Sequence, residues 1–131
     1  MRIDRVFTVE GQSAYDSITF RTVSSEIRNP DGSIVFKQDN IEIPEKWSQV
    51  ASDVLAQKYF RKAGVAAALK PVREDNVPEF LWRKAPDDAA LAKLDGEPKS
   101  VGEHSARQVF DRLAGTWTYW GWKGGYFDEE K

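Results

Sequence analysis

Asn29-Pro30-Asp31-Gly32 constrains this chain's fold more than any other stretch. Proline presets the backbone angle of an early turn position, aspartate bonds its own backbone, and glycine accepts positive φ. The flanks read as extended chain. Before the turn, Ile18, Phe20 and Thr22 alternate with Thr19, Arg21 and Val23; after it, Ser33 to Lys37 resumes the pattern. Two such runs around a tight turn predict an antiparallel β-hairpin over about residues 17–37. Val6 to Val9 and Ile41-Glu42-Ile43 are further short extended candidates.

Two amphipathic helices are predicted around the hairpin. The first, about residues 46–62, follows Pro44 and Glu45 and ends before Gly64. It places Trp47, Val50, Ala51, Val54, Leu55 and Tyr59 at steps of three and four, on one face. The second, about residues 103–119, aligns Ala106, Val109, Phe110, Leu113, Ala114 and Trp117. Ser100 and Glu103 have the spacing of a capping box for its start, with Ser105 as a rival cap. Four prolines (Pro71, Pro78, Pro86 and Pro98) punctuate the stretch between the helices. It reads as loop-rich, with a short helix over Asp87–Leu94. The expected fold is α+β, a single domain over residues 1–131. Its expected core is Trp47, Val54, Leu55, Tyr59, Phe110 and Leu113.

Composition removes several functions. Nineteen basic residues offset twenty-one acidic ones, and the net charge is −2. No basic run exists to neutralise phosphates, so neither nucleic-acid binding nor a polybasic membrane anchor is expected. No apolar run approaches a bilayer span and the first residues do not lead into a signal-peptide core, so a cytoplasmic location is expected. The 131 residues contain no cysteine, which rules out disulfides, thiolate metal sites and thiol chemistry within them.

The other candidates for chemistry are weak. His104 is the single histidine and reads as a surface or capping residue. The acid pairs Asp87/Asp88 and Glu129/Glu130 are adjacent in sequence, so their carboxylates diverge. Glu74-Asp75 sits in a proline-flanked loop read as solvated. Lys123-Gly124-Gly125 lacks the spacing of a phosphate loop. No catalytic, cofactor-binding or metal residue is assigned.

What remains is aromatic. Between Gly115 and Phe127 lie three tryptophans, two tyrosines and a phenylalanine. Such rings stack on bases or sugars, close a core, or form a protein interface. The first use needs a basic groove, and only Lys123 is near. Trp117 suits the core, but one helix face cannot bury all the rings. Trp and Tyr are enriched at buried interface centres. The segment is therefore read as a docking surface with Trp117, Trp120, Trp122, Tyr126 and Phe127 as anchors. The alternative is a stand-alone aromatic-rich module for single-stranded nucleic acid or sugar. Phe127 to Lys131 reads as the start of a further helix, as if a longer chain continued.

Three stretches resemble one known family in the same order: Phe20–Ile27 with Val35-Phe36, Trp47–Val65 (WSQVASDVLAQKYFRKAGV) and Gln108–Phe127 (QVFDRLAGTWTYWGWKGGYF). They are similar to the N-terminal region of class II, adenosylcobalamin-dependent ribonucleotide reductases. The likeness is weak between residues 66 and 104. It implies a large parent enzyme with a ten-stranded α/β barrel, reducing ribonucleotides to deoxyribonucleotides for DNA synthesis. There, cobalt–carbon homolysis raises a thiyl radical on a cysteine, and a cysteine pair supplies the electrons. None of those cysteines has a counterpart here. The resemblance therefore implies a cysteine-free N-terminal accessory domain that is not an enzyme alone. Its expected partner is the catalytic barrel of the same polypeptide, with a second copy of the parent, in a homodimer, as a further candidate partner.

Overall fold

The computed structural model describes residues 2–128 and is mixed α+β. Expectations placed on Glu129, Glu130 and Lys131 lie outside the described residues. Two compact units form. One contains residues 3–60 and 104–109, the other residues 61–103 and 110–128 with Arg2.

In the first unit, β1 (Phe20–Arg28) pairs antiparallel with β2 (Ile34–Pro44). The turn between them closes through Gly32 N–H to Asn29 O at 2.9 Å and Asn29 N–H to Ser33 O at 2.8 Å. Gly32 has φ +86°, a left-handed conformation that glycine takes without a Cβ penalty. Asp31 accepts from Ser33 N–H at 2.8 Å and from the Ser33 hydroxyl at 2.6 Å. These bonds hold its carboxyl below the ordinary carboxylate pKa. The strands run past the expected residue 37 because an irregularity between Val23 and Ser25 lets pairing resume. Opposite it, Asn40 has φ +56°. An extra residue there re-aims the strand, and beyond it Ile41 and Ile43 point to one face and are fully buried.

The first expected helix is shorter and less regular than residues 46–62. Ser48, not Pro44-Glu45, opens α1 (Gln49–Val54), its hydroxyl accepting from Ala51 N–H at 3.2 Å. The chain then widens into a π-turn, Leu55–Tyr59, closed by Phe60 N–H to Leu55 O at 3.1 Å. An extra residue per turn rotates the apolar stripe. Leu55, Ala56 and Phe60 are buried, whereas Val54 and Tyr59, two expected core members, lie at the surface. Trp47 precedes the helix and is half-buried; its carbonyl accepts from Arg21 Nη2 at 2.7 Å. With Ala106 and Val109, the buried isoleucines of β2 make this unit's core.

The last helix, α3, spans Ala106–Lys123 rather than 103–119. Ser105 and Gln108, not Ser100 and Glu103, make the reciprocal cap. The Ser105 hydroxyl accepts from Arg107 N–H at 3.2 Å, while Gln108 Oε1 accepts from Ser105 N–H at 3.0 Å and His104 N–H at 2.8 Å. Ser105 also donates to Glu42 at 2.6 Å. Residues 106–109 of α3 belong to the first unit and residues 110–123 to the second.

The second unit carries two short antiparallel pairs: β3 (Val65–Ala66) with β6 (Ser100–Val101), and β4 (Leu69–Pro71) with β5 (Lys84–Pro86). Val77 and Leu81 are buried, and the Trp82 indole donates to Val77 O at 2.9 Å. Asp87 caps α2 (Asp88–Leu91), accepting from Ala90 N–H at 3.1 Å. Acids at that helix start are thereby explained structurally.

Candidate docking surface on the last helix

From residue 110 onward, the two faces of α3 do different work. The inward face is tied down by polar bonds. Arg112 donates to the buried carboxylate of Glu103 at 2.9 and 3.0 Å. About two and three turns on, Tyr119 and Lys123 meet Glu74. The phenol oxygen lies 3.0 Å from both carboxylate oxygens, and Lys123 Nζ lies 2.8 Å from one of them. Lys123 and then Tyr119 hold the Glu74 carboxyl below its usual range. The carboxylate in turn raises both the phenol and the ammonium pKa. Trp122 donates its indole N–H to Asn76 O at 2.8 Å. Asn76 has φ +60°, so this bond anchors a sharply bent loop to the helix.

The opposite face is apolar and carries no charge. Phe110, Ala114, Trp117, Gly121 and Gly124 follow at steps of four and three, with Trp120 beside them. Trp117 and Trp120 are each 63% exposed. Phe110, expected in the core, also reaches the surface, and so does Trp117, which suited the core by periodicity. Leu113 is half-buried.

The helix ends in a defined cap. Tyr126 N–H donates to Gly121 O and Gly125 N–H to Trp122 O, both at 3.0 Å, and Gly125 has φ +70°. These are the crossed bonds and left-handed glycine of a Schellman ending. Tyr126 is 65% exposed, while Phe127 folds back and is half-buried. Of the five expected anchors, Trp117, Trp120 and Tyr126 are therefore the largely exposed ones. Trp122 and Phe127 also serve the fold of their own unit. The Glu74–Tyr119–Lys123 cluster was missed by sequence reading; separations of 45 and 49 residues leave no local signal for it.

The remaining candidates do not gather into a reactive site. Asp75 pairs with Arg73 at 3.6 Å, and His104 contributes its backbone N–H and C=O to the bonds around the start of α3. Among the described residues, no three of His, Asp or Glu stand close enough to hold a metal ion. With no cysteine in the sequence, these residues have no thiol to carry a thiyl radical. Among the described residues, no helix is long and apolar enough to cross a membrane.

The family described as class II vitamin B12-dependent ribonucleotide reductase matches residues 21–131. A vitamin B12-dependent ribonucleotide reductase of Bradyrhizobium diazoefficiens is 66% identical over all 131 residues, which cover 10% of that protein. One from Agrobacterium fabrum is 60% identical over the same span, again 10% of its length. One from Streptomyces coelicolor is 33% identical over 95 residues, 67% of this chain and 9% of that protein. The chain thus spans about a tenth of the length of the relatives it matches, at their N-terminal part. It belongs to the class II vitamin B12-dependent ribonucleotide reductase family.

Proposed function

We propose that these residues are the N-terminal structural domain of an adenosylcobalamin-dependent ribonucleoside-diphosphate reductase. They dock on the catalytic barrel of the same polypeptide and hold no catalytic residue. The 131 residues act as one accessory domain, and both radical chemistry and nucleotide binding belong to the rest of the enzyme. The observation that carries this reading is the exposed, uncharged tryptophan pair on α3, Trp117 and Trp120. Large exposed aromatics on one helix face mark a contact site, and a chain a tenth the length of its relatives has an obvious neighbour.

The relevant double variant is W117A/W120A in the full-length reductase. Trp122 is spared because its indole holds Asn76. Burying each ring contributes on the order of 2 kcal/mol, so the pair is worth about 4 kcal/mol, roughly a thousandfold in the docking equilibrium. Faster protease cleavage just beyond Asp128 and reduced turnover are expected. Parental values for both would refute the docking role.

A further inference from the structure

Gly121 stands inside α3 without needing glycine's backbone freedom: its φ is not positive, unlike that of Gly125. A helix interior ordinarily disfavours glycine relative to alanine. The reason for its presence lies in the chain that follows. A methyl group on Gly121 would sit 2.5 Å from Cε2 and 2.7 Å from Cζ of Phe127. One on Gly124 would sit 2.8 Å from Cε2 of Tyr126. Both rings are thus laid back over bare Cα positions. Helical spacing puts those positions on the face that carries Trp117. Gly115, six residues earlier in the same helix, has nothing within 4 Å of where its methyl would be.

We propose that Gly121 and Gly124 are positioning residues for docking. They seat Phe127 and Tyr126, so that both rings extend the Trp117–Trp120 face and fix the direction in which the polypeptide leaves α3. The occupant of that face is the remainder of the same polypeptide. The relatives continue for about nine-tenths of their length beyond the matched N-terminal stretch, and the seated rings, Tyr126 and Phe127, lie at the end of the described residues. The surface is uncharged, so it selects an apolar patch on the catalytic body rather than an acidic or basic one. The proposal rests on the docking reading above.

Gly121→Ala tests it in the full-length reductase. The helix tolerates alanine, so only the Phe127 ring must shift. Gly115→Ala is the matched control, since it makes the same chemical change in open space. G121A is expected to speed protease cleavage beyond Asp128 about tenfold and to lower turnover in parallel. G115A should keep both at parental values. A loosened local cap would add to any other lesion. A seat for docking adds nothing further once W117A/W120A has already abolished the contact. Should G121A fail to fold, Phe127→Ala decides, because Phe127 lies past the helix; F127A at the parental cleavage rate overturns the seat. If W117A/W120A accelerates cleavage but G121A behaves like G115A, the seat falls and docking stands. If W117A/W120A is itself parental, both fall.

Discussion

Glu103 is 4% exposed, yet it is a carboxylate. Burial pushes its pKa up, but two Arg112 hydrogen bonds and the Arg61 N–H at 2.9 Å pull it further down, to a net position below the ordinary glutamate range. Next to it, Gly102 lies so close to the chain that a methyl group would stand 2.8 Å from Lys62 O. The carboxylate therefore binds two segments of its unit at once, the start at Arg61 and the α3 guanidinium. A buried charge whose partner is taken away is costly, and a charged hydrogen bond contributes more than a neutral one. Glu103→Gln should lower stability at neutral pH by about 2–3 kcal/mol, read from the urea midpoint. The sign with pH follows from the lowered pKa. The ionised form is the one that folding favours, so its contribution is present above about pH 4.5 and is lost as pH falls through the lower folded value. The parent and E103Q curves should converge in acid. Curves that stay parallel would show that Glu103 stabilises through shape and not charge.

At the scale of elements, the start of α3 separates what sequence can show from what it cannot. Ser100 to Glu103 and Ser105 to Gln108 both have capping-box spacing. The first is not used, because Glu103 is engaged by Arg61 and Arg112, the former 42 residues away. Removing the real box with Ser105→Ala should cost about 1–2 kcal/mol, since an N-cap and a bond to Glu42 go together. Gln108→Ala should cost less, about 1 kcal/mol, because it frees two backbone N–H groups near solvent. Ser100→Ala should be neutral within about 0.5 kcal/mol. Thermal unfolding of the three variants checks the order, and a larger loss for S100A than for S105A would reverse the assignment. The mixed α+β class was readable because local patterns announce it. Helix boundaries were not, since the π-turn at Leu55–Tyr59 shifts the periodic stripe out of register and exposes Val54 and Tyr59. In the candidate site, the aromatic residues were legible as a group. Their division was not: Trp122 is drawn inward by a carbonyl 46 residues away, and Phe127 by a glycine whose use only the folded chain reveals.

For the whole molecule, the decisive fact is chemical rather than geometric. Radical reduction of a ribonucleotide, as proposed for the parent enzyme, needs a thiol to carry the radical and further thiols to give up electrons. This chain has no sulfur nucleophile at all, its one sulfur being that of Met1. Positioning and electrostatics can tune a reactive group but cannot replace one that is missing. Nearly balanced acids and bases leave a net charge of −2 and no basic run to meet a polyphosphate. The isolated 131 residues, given adenosylcobalamin, a dithiol reductant and a ribonucleoside diphosphate, should therefore form deoxynucleotide no faster than a protein-free blank. The full-length enzyme should do so, and should lose rate when the α3 face is stripped of its rings. That pairing matters, because inertness alone would also suit a bystander. Only a chain that is inert by itself and still needed by its neighbour acts as a docked domain. Turnover by the isolated residues would end this reading from one side, and an enzyme indifferent to W117A/W120A would end it from the other.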